Sequence, residues 1–344
     1  MVASEIPTTM KRLVLQEAAS DLVSAKIVVE ECPVPKPSSS EVLIKVSAAP
    51  INPSDYGSWR SKRDGPAAPM GNEGSGVVVA VGSSSAAWLA GCGVGTTVGF
   101  VGPYKQGSYS EYVTCSLKMT FAMGGVPPED ACSFFVNPFT AYAILKESDG
   151  RPFVHTAAAS QLGQMLVKLC AQEGAADRLI NVVRSEKQKA ILEALGAKHV
   201  VLCSDAKTDA DGVAAIKAKV DELKATIAFD AVAGAMAGAL LGLLPKNGTL
   251  FTYGKLAGPM EGLEPVDLIY HGKKLEGLFL KTWLVEGFPG RRLLAATSKV
   301  RAGLAKGGWC ASTFADCAVE EMWPTFLDMY NTTGFTDRKL RIRF

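Results

Sequence analysis

Hydrophobic and polar residues in the first third of the chain follow the pattern of short β-strands. The apolar, β-branched runs are separated by segments rich in Pro, Ser or Gly, such as PVPKPSSS. The runs lie at residues 12–15, 26–29, 42–48, 76–81, 97–101 and 109–113. Because helical periodicity is absent from 10–50, the pattern predicts a partly open barrel of short strands.

From about residue 153 the pattern changes to alternating strands and helices. The run FVHTA is followed by QLGQMLVKLCAQEGA, whose apolar residues recur at helical spacing. Ser185 is placed to begin the next helix, with Gln188 three residues later, and Gly196 is placed to end it. Later runs are HVVLCS, VAAIKAKVDELK, ATIAFDAVAG, AMAGALLGLL, GTLFTYG and LEGLFL. This alternation predicts a doubly wound parallel sheet in an α/β protein.

Chain length and these two patterns together predict two domains. A chain of 344 residues exceeds the roughly 250 to 300 residues at which a single core stops growing. We expect a strand-rich domain over 1–133, completed by 286–344, and an α/β domain over 134–285. The tail is assigned to the first domain because its amphipathic segment and terminal KLRIRF break the strand–helix rhythm.

The amino-acid composition indicates which kinds of molecule this chain is expected to bind. Lys plus Arg (36) nearly balance Asp plus Glu (34), without the basic runs typical of nucleic-acid binders. No run approaches the roughly 20 apolar residues of a membrane span, and the start lacks a secretory apolar run, so we expect a cytoplasmic protein. The eight scattered cysteines are expected to be free thiols. A small neutral ligand or self-association therefore fits better than nucleic acid or membrane.

A candidate nucleotide loop follows the first strand of the α/β region. Its residues are Ala158, Ala159, Ser160, Gln161, Leu162 and Gly163. Only the last glycine of a G-x-G-x-x-G turn is present, but Ala and Ser are small enough for backbone to approach a pyrophosphate. The alternative is an ordinary β-α turn. The lengths of the strand, loop, helix and second strand favour the nucleotide loop.

The residue at the end of the second strand predicts which dinucleotide is bound. An NAD-binding chain carries Asp or Glu there, about 20 residues past the loop. This chain has Arg184, followed by Ser185 and Lys187. A guanidinium engages the 2′-phosphate of NADP in paired hydrogen bonds, so we expect NADP(H). The alternatives are a solvated strand-end arginine, and Glu186 in the NAD-type role.

Six segments in this order resemble the medium-chain dehydrogenase/reductase superfamily. They are GNEGSGVV (71–78), NPFTAY (137–142), HTAAASQLG (155–163), LGAKHVV (195–201), FDAVAG (229–234) and TLFTYG (249–254). Within that superfamily the chain is most similar to the zinc-free quinone oxidoreductase and enoyl reductase branches. The resemblance implies a GroES-like substrate domain, a Rossmann domain, an active-site cleft between them and a homodimer.

The positions of the superfamily's zinc ligands carry other residues. Asn72 stands where zinc members have the His of GHE, and Asn52 begins NPSD near the expected cysteine. An amide is a poor zinc ligand compared with imidazole or thiolate, so we expect no metal. Glu73 and Asp55 then fit structural hydrogen-bonding roles better than catalytic ones.

Without zinc, hydroxyl or amide donors must polarise the substrate. The segment INPSDY resembles the corresponding segment of enoyl-thioester and quinone reductases, which makes Tyr56 the candidate proton donor, supported by Asn52. Alternatively Tyr56 is a rim aromatic and water supplies the proton. The resemblance places nicotinamide contacts at Asn137 and Thr140, and puts Tyr253 with Gly254 near the ring; each residue could equally serve a turn or packing.

The leading hypothesis is an NADPH-dependent reductase of a quinone, enone or enal. Two alternatives stay open: a zinc-independent carbonyl reductase or alcohol dehydrogenase, and a non-catalytic NADPH-binding relative of crystallin-like or RNA-binding type. The near-neutral charge weighs against RNA. The sequence does not specify the substrate.

Overall fold

The computed structural model describes residues 6–60, 67–103, 105–285, 290–305, 308–332 and 338–344. The chain forms two compact units, 1–136 with 300–344, and 137–299. The sequence placed the divisions after 133 and 285. The second division lies later in the structure because residues after 285 contact the second unit: Arg292 donates to the Trp283 carbonyl oxygen (2.9 Å), and Lys299 pairs with Glu173.

The described residues form sixteen strands and eleven α-helices, and the predicted alternation of strands and helices is present from β9 onward. The strands are β1 (Thr9–Glu17), β2 (Lys26–Pro33), β3 (Glu41–Pro50), β4 (Ala68–Pro69), β5 (Glu73–Val81), β6 (Thr97–Val101), β7 (Tyr112–Ser116), β8 (Thr120–Ala122), β9 (Phe153–His155), β10 (Leu179–Val183), β11 (His199–Leu202), β12 (Ile227–Asp230), β13 (Thr249–Thr252), β14 (Lys274–Gly277), β15 (Phe314–Ala318) and β16 (Lys339–Arg343). The α-helices are α1 (Pro53–Trp59), α2 (Ser84–Leu89), α3 (Val136–Glu147), α4 (Gln161–Gln172), α5 (Glu186–Ala194), α6 (Ala210–Leu223), α7 (Gly234–Leu243), α8 (Pro265–Ile269), α9 (Leu280–Val285), α10 (Arg291–Leu304) and α11 (Met322–Asn331).

Two sheets build the first unit. One has the order β2-β1-β4, and the other has the order β15-β16-β3-β5-β6-β8, with β7 also paired to β3. Alternating residues of β3, among them Val42, Ile44 and Val46, are fully buried against Val78 and Val98. The terminal strand β16 runs antiparallel to β3, so the end of the chain joins the sheet of the first unit.

The second unit is a doubly wound sheet. Six parallel strands have the order β11-β10-β9-β12-β13-β14, which confirms the predicted fold class. Neighbouring strands β9 and β12 place their carboxyl ends side by side, at the edge where such sheets bind ligands. The predicted sixth strand is shorter than the run LEGLFL, because the chain leaves the sheet after Gly277.

Two simple expectations hold across the described residues. All eight cysteines are free, and all but Cys32 are buried. None of the helices in the described ranges is long and apolar enough to cross a bilayer.

Candidate functional site

The loop between β9 and α4 has the close packing that a dinucleotide turn needs. Ser160 caps α4, its Oγ accepting from the Gly163 N–H (3.2 Å). A Cβ at Gly163 would lie 2.0 Å from the Ala158 carbonyl oxygen, so no larger residue fits there. Ala158 and Ala159 are buried. The turn thus brings backbone to the N-terminus of α4, where the helix dipole favours a phosphate.

A buried carboxylate shapes the adjoining turn after β12. The Thr156 hydroxyl donates to Asp230 Oδ1 (2.6 Å) and accepts from the Ala231 N–H (2.9 Å). The N–H groups of Val232 and Ala233 donate to the same carboxylate, each at 2.9 Å. Burial raises the Asp230 pKa, and these hydrogen bonds oppose the rise. Sequence reasoning missed both side chains; an aspartate ending the strand of FDAVAG was the available signal.

Two alanines in these turns have a left-handed backbone. Ala157 has φ 49° and Ala233 has φ 59°. Residues with a Cβ rarely adopt this region, and such strain concentrates at functional sites. The turns after β9 and β12 therefore carry strain at the nucleotide edge of the sheet.

The predicted phosphate-binding residues lie around the start of α5. Arg184 follows β10 and is exposed, and its backbone N–H donates to Gln188 Oε1 (3.0 Å). Ser185 caps α5, as predicted, accepting from the Gln188 N–H. Lys187 is also exposed. Two cations and a helix N-terminus at one place fit the 2′-phosphate of an NADP-type dinucleotide.

Tyr253 and Gly254 lie at the carboxyl end of β13. The Tyr253 hydroxyl is 2.6 Å from His155 Nε2, and the two rings stack. Burial lowers the His155 pKa to about 3, so the imidazole is neutral. Gly254 is required sterically, because a Cβ would lie 2.6 Å from the Ala231 carbonyl oxygen. The contact with His155 therefore holds the Tyr253 side chain in place.

A cavity of about 450 Å³ opens beside these residues. Its lining includes Ala233, Thr252, Tyr253, Gly254, Met260, Leu278 and Phe279. The lining is mostly apolar, so it suits a flat ring or an apolar chain at the ligand-binding edge of the sheet.

Asn137 and Thr140 lie in the first half of α3, and both are buried. Just before them, Glu73 Oε2 accepts from the backbone N–H groups of Phe135 and Val136, each at 3.0 Å. Contact of Asn137 and Thr140 with nicotinamide stays a prediction.

Glu73 belongs to a buried polar group that we call the Lys339 cluster: Glu73, Asn52, Lys339 and Ser133. The Lys339 ammonium donates to Asn52 Oδ1 (2.7 Å) and Ser133 Oγ (3.2 Å). Asn52 Nδ2 donates to Glu73 Oε1 (2.8 Å). Burial raises the Glu73 pKa and lowers the Lys339 pKa, and each residue's opposite charge opposes the other's shift. The amide of Asn52 therefore connects a buried anion to a buried cation.

The buried Asp55 and the exposed Asn72 form a second contact beside this cluster. The Asn52 backbone N–H donates to Asp55 Oδ2 (2.8 Å) and Asn72 Nδ2 donates to Asp55 Oδ1 (2.6 Å). Burial raises the Asp55 pKa to about 6. Glu73 and Asp55 both accept hydrogen bonds in these contacts, and their role as structural rather than catalytic residues stays a prediction. Within the described ranges, no three His, Cys, Asp or Glu side chains are grouped to hold a metal ion.

Tyr56 lies on α1, one residue after Asp55, and is half-buried. Its ring contacts Phe326 (centroids 5.6 Å), Tyr330 (6.1 Å) and Trp59 (6.4 Å). Burial raises the Tyr56 pKa to about 12, so the phenol is neutral at any working pH. A neutral phenol is a hydrogen-bond donor.

The structure separates the two residues that the sequence paired as catalytic. Asn52 is fully buried, and both atoms of its amide are engaged in the Lys339 cluster. It caps α1 through a capping box with Asp55. Tyr56 keeps partial exposure on the same helix. Asn52 contacts Asp55 at the start of α1, and its support of Tyr56 stays a prediction.

Comparison with known proteins gives matches over most of the chain. Residues 38–125 match the family described as alcohol dehydrogenase GroES-like domain, and residues 162–290 match the family described as zinc-binding dehydrogenase. Prostaglandin reductase-3 of Bos taurus is 28% identical over 82% of this chain and 76% of its own length. Human mitochondrial enoyl-[acyl-carrier-protein] reductase is 30% identical over 73% of this chain and 67% of its own length. The chain belongs to the zinc-free quinone and enoyl reductase branch of the medium-chain dehydrogenase/reductase superfamily.

A solved structure agrees with this family. A Mesorhizobium loti protein provisionally described as an NADPH:quinone reductase is 29% identical, covers 99% of this chain and 100% of its own, and superposes with a TM-score of 0.84. The family described as zinc-binding dehydrogenase matches residues 162–290, a range that contains neither Asn52 nor Asn72. The chain is therefore an oxidoreductase of this branch.

Proposed function

We propose that this protein is an NADPH-dependent reductase of quinones or of double bonds conjugated to a carbonyl. The observation that carries the proposal is the neutral, half-exposed Tyr56 on a helix fixed by the Lys339 cluster. The named relatives, which include a prostaglandin reductase and an enoyl reductase, support it.

The second unit's own residues fit the dinucleotide. In the turn at 158–163 the backbone around position 163 leaves no room for a side chain. The backbone of the turn can therefore face a pyrophosphate directly. We expect Arg184 and Lys187 to bind the 2′-phosphate, and Tyr253 with Gly254 to border the nicotinamide. When bound, NADPH supplies the hydride.

Tyr56 would act on the oxygen of the substrate. Addition of hydride to a conjugated system moves negative charge onto an enolate or phenolate oxygen, which a hydroxyl donor stabilises. The Asn52 side-chain amide donates to the Glu73 carboxylate, and the Asn72 side-chain amide donates to the Asp55 carboxylate. Asn52 and Asn72 lie at or near the positions of zinc ligands in zinc-dependent members of the superfamily, and in this chain they form hydrogen bonds around α1. A neutral donor on a fixed helix suits this reaction better than reduction of a saturated ketone.

Replacing Arg184 with Ala should remove most of a preference for NADPH over NADH. Charge-assisted hydrogen bonds to the 2′-phosphate contribute about 1.5 to 3 kcal/mol, or roughly tenfold to a hundredfold. We expect kcat/KM for NADPH to fall by that factor, while the value for NADH changes little. Arg178, which lies before β10, is a matched control. Equal efficiency of the two dinucleotides in the unmodified protein would refute the assignment.

The reaction is tested by following NADPH oxidation with an enone, a quinone and the saturated ketone that matches the enone. We expect turnover of the enone or quinone and little of the saturated ketone. Reduction of the saturated ketone alone would identify a carbonyl reductase instead. Tight NADPH binding without turnover of any of them would favour the non-catalytic alternative.

A further inference from the structure

An arginine lies one helical turn beyond Tyr56. Tyr56 is in α1 and Arg60 is the C-cap of that helix, with helical backbone angles (φ −83°, ψ −13°). Side chains four residues apart lie on one helix face, with Cβ atoms about 5 to 6 Å apart. The Arg60 charge acts on Tyr56, since it opposes the rise of the Tyr56 pKa that burial causes. The phenol and the guanidinium are therefore neighbours.

The guanidinium is held in place by an aromatic neighbour. It lies over the ring of Tyr330, 5.5 Å from the centroid, and donates a hydrogen bond to the Tyr330 hydroxyl. Tyr330 in turn packs on Phe326 (centroids 5.7 Å) and on Tyr56. A cation–π contact and a hydrogen bond reduce the freedom of a side chain that is otherwise long and mobile.

Among the residues that the structure describes, the Arg60 guanidinium contacts Tyr330, and no carboxylate forms an ion pair with it. The Arg60 side chain is exposed, and the group that it contacts on Tyr330 is a hydroxyl rather than a carboxylate. A guanidinium has five N–H donors in a planar fork that matches a carboxylate. An anion could thus be bound in two parallel hydrogen bonds while the contact with Tyr330 persists.

We propose that Arg60 binds a carboxylate of the substrate while Tyr56 binds its reacting carbonyl oxygen. The proposal rests on the function proposed above and names the substrate class: an enone or quinone that carries a carboxylate group, with an apolar or flat part against the partly exposed ring of Tyr330. Arg60 is the residue that sets this specificity.

The test compares an enone bearing a distal carboxylate with its methyl ester, for the unmodified protein and for Arg60→Gln. In the unmodified protein we expect the acid to have a KM roughly tenfold to a hundredfold below that of the ester. Arg60→Gln should erase that difference by raising the KM of the acid, with the ester unchanged. Arg60→Lys keeps the charge without the fork and should fall in between. An equal KM for acid and ester in the unmodified protein overturns the proposal.

A binding measurement separates this proposal from the proposed reaction. Trp59 lies 6.4 Å from Tyr56, so tryptophan fluorescence can report binding of a saturated keto acid and its ester without turnover. Tighter binding of the acid, lost in Arg60→Gln, supports the anion site even where no enone is reduced. Enone turnover with equal binding of acid and ester refutes the role of Arg60 and leaves the reaction standing.

Discussion

Replacing Tyr56 with Phe should lower the turnover of an uncharged enone by about 10² to 10³, with KM changed little. Loss of one oxyanion donor typically has an effect of that size. The phenyl ring can keep the contacts with Trp59, Phe326 and Tyr330, so the fold should be retained. Steady-state kinetics on the NADPH-saturated protein, with circular dichroism as a check on folding, measure the effect.

The pH profile and a matched variant complete this test. Because the Tyr56 pKa is raised to about 12 from an ordinary 10.0, the phenol stays protonated through pH 10, and activity should not decline there from loss of this donor. Tyr330→Phe removes a neighbouring hydroxyl from the same aromatic group and should leave turnover of the uncharged enone nearly unchanged. An unaltered rate in Tyr56→Phe would mean that water supplies the proton.

Replacing Lys339 with Met should lower the free energy of unfolding by about 3 to 5 kcal/mol, because the variant leaves the buried Glu73 carboxylate without its cation. Asn52 Oδ1 also loses its donor. Urea unfolding at pH 8 measures the loss. The double variant Glu73→Gln with Lys339→Met removes both charges and should recover much of that stability. If the free energy of unfolding of Lys339→Met lies within about 0.5 kcal/mol of the unmodified protein's, Lys339 does not compensate the buried Glu73 charge.

The loss of unfolding free energy in Lys339→Met should also depend on pH. Without Lys339, the pKa of Glu73 should rise further above its ordinary 4.5, since the positive charge that opposes the rise is gone. A carboxyl whose folded pKa is raised contributes stability at low pH and loses it as pH rises from the unfolded value through the folded one. The deficit of Lys339→Met should therefore be small at low pH and grow as pH rises above about 4.5.

The sequence predicted the sheets better than the short helices. Strands with strong β patterns formed where expected, whereas α1 was missed. Its seven residues are too few for helical periodicity, and Gly57 weakens helix propensity. The helix depends on its capping box and on the burial of Trp59, and burial is not visible in sequence. The prediction of a strand over the whole run LEGLFL was wrong for a related reason. Strand β14 ends at Gly277, and Leu278 and Phe279 line a cavity instead of extending the strand.

Sequence reasoning could propose the local parts of the candidate site but not its long-range contacts. Loop, strand-end arginine and helix cap are neighbours in sequence, so Gly163, Arg184 and Ser185 could be recognised. Lys339 could not, because its partner Asn52 is 287 residues away and a lysine in a basic terminal strand gives no sign of burial. Arg60 was missed because its aromatic neighbour comes from α11 near the other end of the chain.

The contacts between Thr156, Asp230 and the turn after β12 bear on the thermodynamics of dinucleotide association. They are made within the protein, and they hold the strained Ala233 in position. Fixing the backbone of one residue costs about 1 to 2 kcal/mol of conformational entropy. Since folding already fixes these turns, little affinity is lost to ordering them when a ligand arrives. This part of the protein therefore receives its ligand as a preorganised surface.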